Sequence, residues 1–533
     1  MRNQNQIKLT FFVFLIIVSL FILHCRYLAV IAEDAFISFR FAKNLASGNG
    51  LVWNLTESPV EGYSNFLWVM LNALALYLDA EVTLFSQVAG LVAAILVLVY
   101  VYRFAHNFLS KTRLGALLPP LFLACSGPFA TWACSGMETS FFTLWVVATA
   151  YYTVSWQARG NTKTLALAFF SALIATLSRP EGFGIFAVLV LMILLFQNPH
   201  HQRTKRKTML FLALLFYIIP FSIYFIWRFS YFGFLLPNTF YAKTGGGYFQ
   251  WYRGLCYLFY FAFHYLLPLI PLPFLILWNR AQPLVKFKLF QPAIRARAAL
   301  ICLSLTVAYS VYIIWVGGDY MAMYRFFVPI LPFIYLLISW GFMLLFEKEQ
   351  TPSQRLVLIA LLLFSIAGTT VHSTPLEERL FTKPTMTHGQ YRGIQTERWH
   401  SRRLTAIGHF FKNYAQGENA SLATDAIGAV GFYSELEIYG LHGLVDPVIA
   451  HRHRKNIGKG FPGHEKASLA YTLSRQPTFF MFNRELTPKP MRFPSFNAHI
   501  MNLLQNYELK SFWIKDKGNQ KQGYFTFLQR ERH

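Results

Sequence analysis

Long apolar runs separated by short polar loops fill the first two thirds of this chain, and the pattern changes abruptly afterwards. The runs lie near residues 10–31, 83–107, 114–128, 139–156, 164–178, 182–197, 208–229, 254–278, 298–316, 326–346 and 355–371. Each can cross, or nearly cross, the ~30 Å of hydrocarbon in a bilayer. A twelfth run, 65–78, is too brief to span and predicts an interfacial helix. Beyond Val371 no membrane-length run occurs. Short apolar segments there predict strands at Ala420–Thr424, Glu437–Leu441, Thr478–Phe482 and Tyr524–Leu528, with a helix over Glu465–Ser474. Residues Asp425 to Tyr433, with Gly428 and Gly431, read as a strand-to-helix turn. The pattern predicts a polytopic α-helical membrane domain over 1–371 and a soluble α/β domain over 372–533. The first outer loop, 32–82, carries a short strand at Leu51–Trp53.

Composition agrees. Of 533 residues 55% are hydrophobic and 18% aromatic, too apolar for a soluble enzyme and too long for one span. No small-x-small cleavage site follows the first run, so it reads as a retained helix. The formal charge of +24 would suggest nucleic acid in a soluble protein. Here the basic residues collect in alternate loops: Arg2/Lys8, Lys111/Arg113, Arg159/Lys163, Arg203 to Lys207, the 280–297 loop and Lys348/Arg355. With 65–78 placed as an interfacial helix, all of these fall on one side, as the positive-inside rule requires. That gives about eleven crossings, the N-terminus cytoplasmic and the C-terminal domain outside, with no nucleic-acid partner. Five cysteines lie in or beside spans and suggest neither a disulfide framework nor a metal site.

This topology puts the unusual polar residues on the outer face. The first loop offers Glu33, Asp34, Arg40 and Glu61; later loops offer Glu138, Arg179-Pro180-Glu181, Asp319 and Arg325. Any one of them can be a helix cap or interfacial anchor, since an acidic residue in a first turn stabilises a helix by ~0.3–1 kcal/mol. Their recurrence on one face points to a shared polar site, because charges near span ends face water, a partner or a cavity. Such a site suits a lipid-linked substrate with an anionic head. Arginine pairs bidentately with phosphate, and a nearby carboxylate can take a proton from an attacking hydroxyl. Asp34 is the expected base, with Glu33, Arg40, Glu61, Glu138, Arg179, Glu181, Asp319 and Arg325 around the donor. His442, Asp446, His464 and Glu465 in the soluble domain are expected to touch the acceptor or order the cap. Their spacing matches no strong metal motif. The competing expectation is a transporter of a lipid-linked or anionic solute, which needs polar residues along a path at mid-span.

The motifs Glu33-Asp34-Ala35-Phe36-Ile37-Ser38-Phe39-Arg40, Gly48-x-Gly50-Leu51-Val52, Glu61-Gly62-Tyr63-Ser64-Asn65, Arg179-Pro180-Glu181-Gly182, Gly317-Gly318-Asp319-Tyr320 and Arg325 resemble the GT-C superfamily of membrane glycosyltransferases. More narrowly they resemble its terminal β-arabinofuranosyltransferase branch and proteobacterial relatives. The likeness continues through Gly443-Leu444-Val445-Asp446-Pro447 and Pro462-Gly463-His464-Glu465-Lys466. It implies an inverting transfer, metal-independent or weakly linked to a divalent cation, from a polyprenyl-phosphate sugar. The acceptor would be an envelope glycan, lipid or protein outside the bacterial inner membrane. Relatives commonly carry two aspartates where this chain has Glu33-Asp34.

Overall fold

The computed structural model describes residues 2–196, 203–266, 294–347, 351–371, 394–416, 419–454, 457–516 and 521–531. Among these, six helices are long and apolar enough to cross a membrane: Gln4–Leu28, Val82–Leu109, Lys207–Phe232, Ile294–Val316, Ala322–Phe346 and Pro352–Thr369. A pair bent by 68°, Gly115–Cys125 and Gly127–Ala133, makes up to seven. All eleven predicted runs are helical where described, yet several helices fall short as independent spans. Thr162–Ser178 has 17 residues and Gly182–Leu195 has 14, only ~21–26 Å at 1.5 Å per residue. Thr139–Arg159 is longer but interleaves threonine, serine and tyrosine with its apolar positions. The far end of the 254–278 run, and Arg280, Lys286, Lys288 and Lys348, lie outside the described residues.

The chain divides into two compact units. The first is built from the described residues of Met1–Ala29, Gln87–Ile226 and Gly254–Gly393. Phe11, Leu23, Ile223, Leu356 and Phe364 are exposed on its outside, an exterior that suits hydrocarbon and not water. Small residues let its helices approach closely. A Cβ at Gly90 would stand 2.4 Å from the Ala133 carbonyl oxygen, and one at Gly254 2.3 Å from that of Ile314.

The second unit comprises Val30–Ser86, Trp227–Arg253 and the described residues of Ile394–His533. Its centre is a five-stranded sheet: β1 (Ser421–Thr424), β2 (Glu437–Gly440), β3 (Phe479–Phe480), β4 (Tyr507–Lys515) and β5 (Gln522–Arg530), ordered β2-β1-β3-β5-β4. β1 pairs in parallel with β2 and β3; β5 runs antiparallel to β3 and β4. Alternation along β5 sends Phe525 and Phe527 to one face, against Phe410 and Phe411 of the Ile394–Tyr414 helix. Leu528 goes to the other, with Ala423, Leu473, Phe480, Ile500, Leu504 and Tyr507. The helix predicted over Glu465–Ser474 is confined to Leu469–Ser474.

The first loop packs into this second unit. Its Ala35–Ala46 helix buries Phe36, Phe39 and Phe41, and Phe36 and Phe39 meet Phe432 at 5.7 and 6.1 Å. The chain then turns at Gly48 and Gly50, which have φ of +81° and +80°. Leu51–Trp53 is not a strand. Its carbonyls are taken by side chains instead of a ladder, Val52 by Asn44 and Trp53 by Arg40 and Asn44. Asn54, 1% exposed, faces β2 and both donates to and accepts from the Ile438 backbone at 3.1 and 2.9 Å. It thereby satisfies part of a strand edge that would otherwise be open. The 65–78 run forms the Phe66–Tyr77 helix, 12 residues long, about 18 Å and too short to cross.

Gly428 shows how tightly the loop is seated, since a Cβ there would stand 2.3 Å from the Glu33 carbonyl oxygen. Alanine ordinarily favours a helix over glycine by up to ~1 kcal/mol, but overpacking against backbone costs ~1–3 kcal/mol. Gly428→Ala is therefore expected to destabilise the second unit, read as an earlier unfolding transition of the purified chain; an unchanged or later transition would contradict this seating.

Candidate active site

The predicted polar residues fall into two sets, one in each unit. In the second unit the Ile31–Asp34 turn leads into the Ala35–Ala46 helix, and Asp34 occupies the N-cap position. Its side chain is half-buried and makes no capping hydrogen bond. Glu33 is buried and accepts from the Ala429 N–H at 3.0 Å, at the start of the Gly428–Ser434 helix. Burial, then the neighbouring Asp34 charge, push the Glu33 carboxyl up to about 8. Its role is thus to anchor the turn that carries Asp34.

Arg40 is buried and its guanidinium is spent on the protein itself. Nε donates to the Trp53 carbonyl at 3.0 Å and Nη1 to the Gly431 carbonyl at 2.6 Å. Nη2 donates to Asn54 Oδ1 at 3.0 Å and the Leu436 carbonyl at 2.8 Å. The group also lies 4.5 Å from the centroid of the Trp53 ring. Hydrogen bonds to a charged group contribute ~1.5–3 kcal/mol each, so this residue fixes the loop.

Glu61 pairs with Arg228, which donates through Nε at 3.1 Å and through Nη2, while Nη1 holds the Phe234 and Leu235 carbonyls. Arg228 escaped the sequence reading, although a cation inside the apolar 208–229 run was its signal. Gly62 packs on Val445, whose Cγ1 would be 2.6 Å from a Cβ there. Asn238 donates to the Gly443 and Leu444 carbonyls at 2.7 and 3.0 Å. Three separated motifs are joined here into one structural knot.

The other cap candidates divide. Asp446 caps the Pro447–Ala450 helix by accepting from the Ile449 N–H at 3.0 Å. Glu465 accepts from the Gly458 and Gly460 N–H groups at 2.6 and 2.8 Å and pairs with Arg253 at 2.9 Å. Both therefore hold local structure. His442 and His464 meet edge-on at 4.8 Å, and burial pushes His464 down to about 3. Among the described residues no group of three or more His, Cys, Asp or Glu could hold a metal ion.

In the first unit Arg179 lies between two carboxylates, Glu138 at 2.7 Å and Glu181 at 2.8 Å. Arg325 pairs with Asp319 at 2.7 Å. Both guanidinium groups approach Phe326, at 5.6 and 5.1 Å from its centroid, and Arg325 also approaches Trp132 at 5.6 Å. The backbone before Arg325 is strained: Met323 and Tyr324 have φ of +57° and +45°, a conformation costing non-glycine residues ~1–3 kcal/mol each. Trp132 Nε1 donates to the Ala322 carbonyl at 3.2 Å, and Tyr324 Oη bonds to His264 Nδ1 at 2.5 Å. The turn is thus over-determined on both sides of the strain.

Glu33 gives a pH signature. The folded chain keeps this proton up to about 8, whereas an unperturbed glutamic acid loses it near 4.5. Between those values the native state binds more protons, so stability falls as pH rises through the window. Thermal midpoints of the purified protein are expected to drop across it, and Glu33→Gln to flatten the drop; an equal slope in the variant would contradict a buried, protonated Glu33.

Several known proteins resemble this chain. A family model described as a domain of unknown function (DUF8728) matches residues 388–527. The terminal β-(1→2)-arabinofuranosyltransferase of Corynebacterium glutamicum is 27% identical over 335 residues, covering 55% of this chain and 45% of the relative. That of Mycobacterium tuberculosis is 28% identical over 319 residues, covering 55% and 49%. The match therefore spans about half the length of these curated relatives. The apo crystal structure of ArnT from Cupriavidus metallidurans superposes with a TM-score of 0.51 at 10% identity, over 84% of this chain and 87% of that one. The chain is thus a multi-pass membrane protein with the GT-C fold, similar in sequence to the terminal β-(1→2)-arabinofuranosyltransferases.

Proposed function

We propose that this protein is an inverting glycosyltransferase that moves a sugar from a polyprenyl-phosphate donor to an envelope glycan, lipid or protein. The reaction takes place at the outer face of the inner membrane, with the C-terminal residues extracytoplasmic. The sequence similarity to arabinofuranosyltransferases and the GT-C fold support the reaction class. The grouping of basic residues in alternate loops supports the orientation.

Asp34 is the general base. The observation that carries this is its placement: a half-buried carboxylate at the N-terminus of the first-loop helix, directly after the buried Glu33. Its turn is fixed by Glu33 on one side and Arg40 on the other. Asp34 takes the proton of the acceptor hydroxyl as that oxygen bonds to the anomeric carbon. The bond from that carbon to the phosphate oxygen breaks on the opposite face, and polyprenyl phosphate leaves with its electron pair. Within the first unit, Arg179 and Arg325 are the residues suited to an anionic donor head. Arg40 is better suited to positioning, because its donors already serve the chain.

Asp34→Asn keeps the size of the side chain and removes the base. Transfer is expected to fall by about 10²–10⁴-fold, with membrane insertion and thermal stability retained. The measurement is incorporation of labelled sugar by membranes carrying each form, and full activity in the variant would sink the assignment of Asp34.

A further inference from the structure

The parallel half of the sheet has a switch in its connections. The chain leaves central β1 through the Gly428–Ser434 helix to β2 on one side, then returns across to β3 on the other. In open α/β sheets ligands settle outside the carboxyl ends of strands at such a switch. A polar residue of interest lies beyond each of the three strands here: Asp425 directly after β1, His442 shortly after β2, and Arg484, next to Asn483, in the segment after β3.

These residues form a cluster with little structural purpose. Arg484 Nη1 donates to Asp425 Oδ2 at 3.0 Å, and the two side chains remain 33% and 31% exposed. A pair that open to water contributes ~0–1 kcal/mol to stability. Both of their charges act on the His442 ring, and Arg484 acts as well on Glu33 and His464. The His442 ring hydrogen-bonds to the His464 backbone, but among the described residues its buried Nδ1 atom has no partner, an arrangement native structures rarely leave without a purpose. Lys243 lies beside Gly463, where a Cβ would be 3.3 Å from its Cε, and its charge also acts on His464. The cluster borders the segment that holds the base: Asp425 lies four residues before Ala429, whose N–H is held by Glu33.

We propose that this carboxyl edge is the acceptor subsite, with Asp425, His442 and Arg484 contacting a neutral, hydroxyl-rich sugar unit. The charges of Asp425 and Arg484 cancel, and burial disfavours protonation of both histidines, so the site offers directional hydrogen bonds without a strong field. Carboxylate oxygens accept from adjacent hydroxyls, the guanidinium donates to a neighbouring or ring oxygen, and His442 supplies a third contact. A phosphate would meet the Asp425 carboxylate. The proposal rests on the glycosyltransferase reading for the word acceptor, while sugar binding itself can be measured without turnover.

The test uses the full chain purified in detergent, with an octyl-linked arabinofuranose trisaccharide and inorganic phosphate as separate probes in calorimetric titrations. Saturable binding of the trisaccharide is expected. Arg484→Gln and His442→Ala should each weaken it about tenfold or more, and Asp425→Asn similarly, with thermal midpoints recorded to confirm folding. Glu508→Gln, which removes a partner of the exposed Lys510 on β4, should leave affinity unchanged. No trisaccharide binding, equal affinity in folded variants, or binding of phosphate in its place would overturn the proposal. Incubation of the same preparations with polyprenyl-phosphate arabinofuranose asks the separate question. Trisaccharide binding that depends on Arg484, without any donor consumption, would leave the sugar site standing and reject the glycosyltransferase reading.

Discussion

A single buried guanidinium determines what the second unit can be. Arg40 projects from the first-loop helix and reaches carbonyls of Trp53, Gly431 and Leu436. A buried charge with unsatisfied donors is far costlier than a lost surface contact, because desolvation is repaid only when the hydrogen bonds are complete. The partners of Arg40 come from the loop, from within the Gly428–Ser434 helix and from just beyond it, so these pieces must arrive together or Arg40 cannot be buried. Glu33 and Asn54 extend the same dependence along the loop, one holding a helix start and the other a strand edge. Asp34 inherits its fixed position from this framework.

Buried arginines are partnered here in two ways. The carbonyl oxygens of Trp53, Gly431 and Leu436, with Asn54 Oδ1, surround Arg40. Arg179 and Arg325 in the first unit, and Arg228 and Arg253 in the second, are matched by carboxylates, the first two also flanked by aromatic faces. Carboxylate pairing keeps a cation soluble in an apolar interior while leaving its charge open to competition from an incoming anion. Carbonyl pairing offers no such exchange, since nothing is gained by pulling Arg40 from a complete shell. This contrast separates the carboxylate-paired arginines from the one that holds the loop.

Much of the architecture was readable from the chain. Apolar periodicity located the helices, and the brevity of 65–78 marked a helix of 12 residues. The strands β1, β2, β3 and β5 were visible as short apolar runs between turn residues. β4 was not, because Glu508, Lys510 and Ser511 break its apolar pattern and its pairing with β5 lies beyond local sequence. Leu51–Trp53 looked like a strand since its composition is β-forming, but side chains of the preceding helix claim its carbonyls. In the candidate site the chemistry of Glu33, Asp34, Arg179 and Arg325 was legible as charge where charge is expensive. What could not be read was partnership: that Glu61 meets Arg228, that Asp446 and Glu465 serve their own loops, or that Asp425 and Arg484 pair. Those depend on contacts across tens to hundreds of residues.

The separation between Asn54 and Ile438 has a temporal meaning. The two are 384 positions apart, and a ribosome adding ~5–20 residues per second makes the later one some tens of seconds after the earlier. Throughout that interval Arg40 and Asn54 wait without the partners that the later segment supplies. Assembly of the turn that carries Asp34 is therefore completed only once the segment around Gly431 and Ile438 has been made. A chain terminated early could insert every one of its preceding helices and still never assemble the turn that carries Asp34.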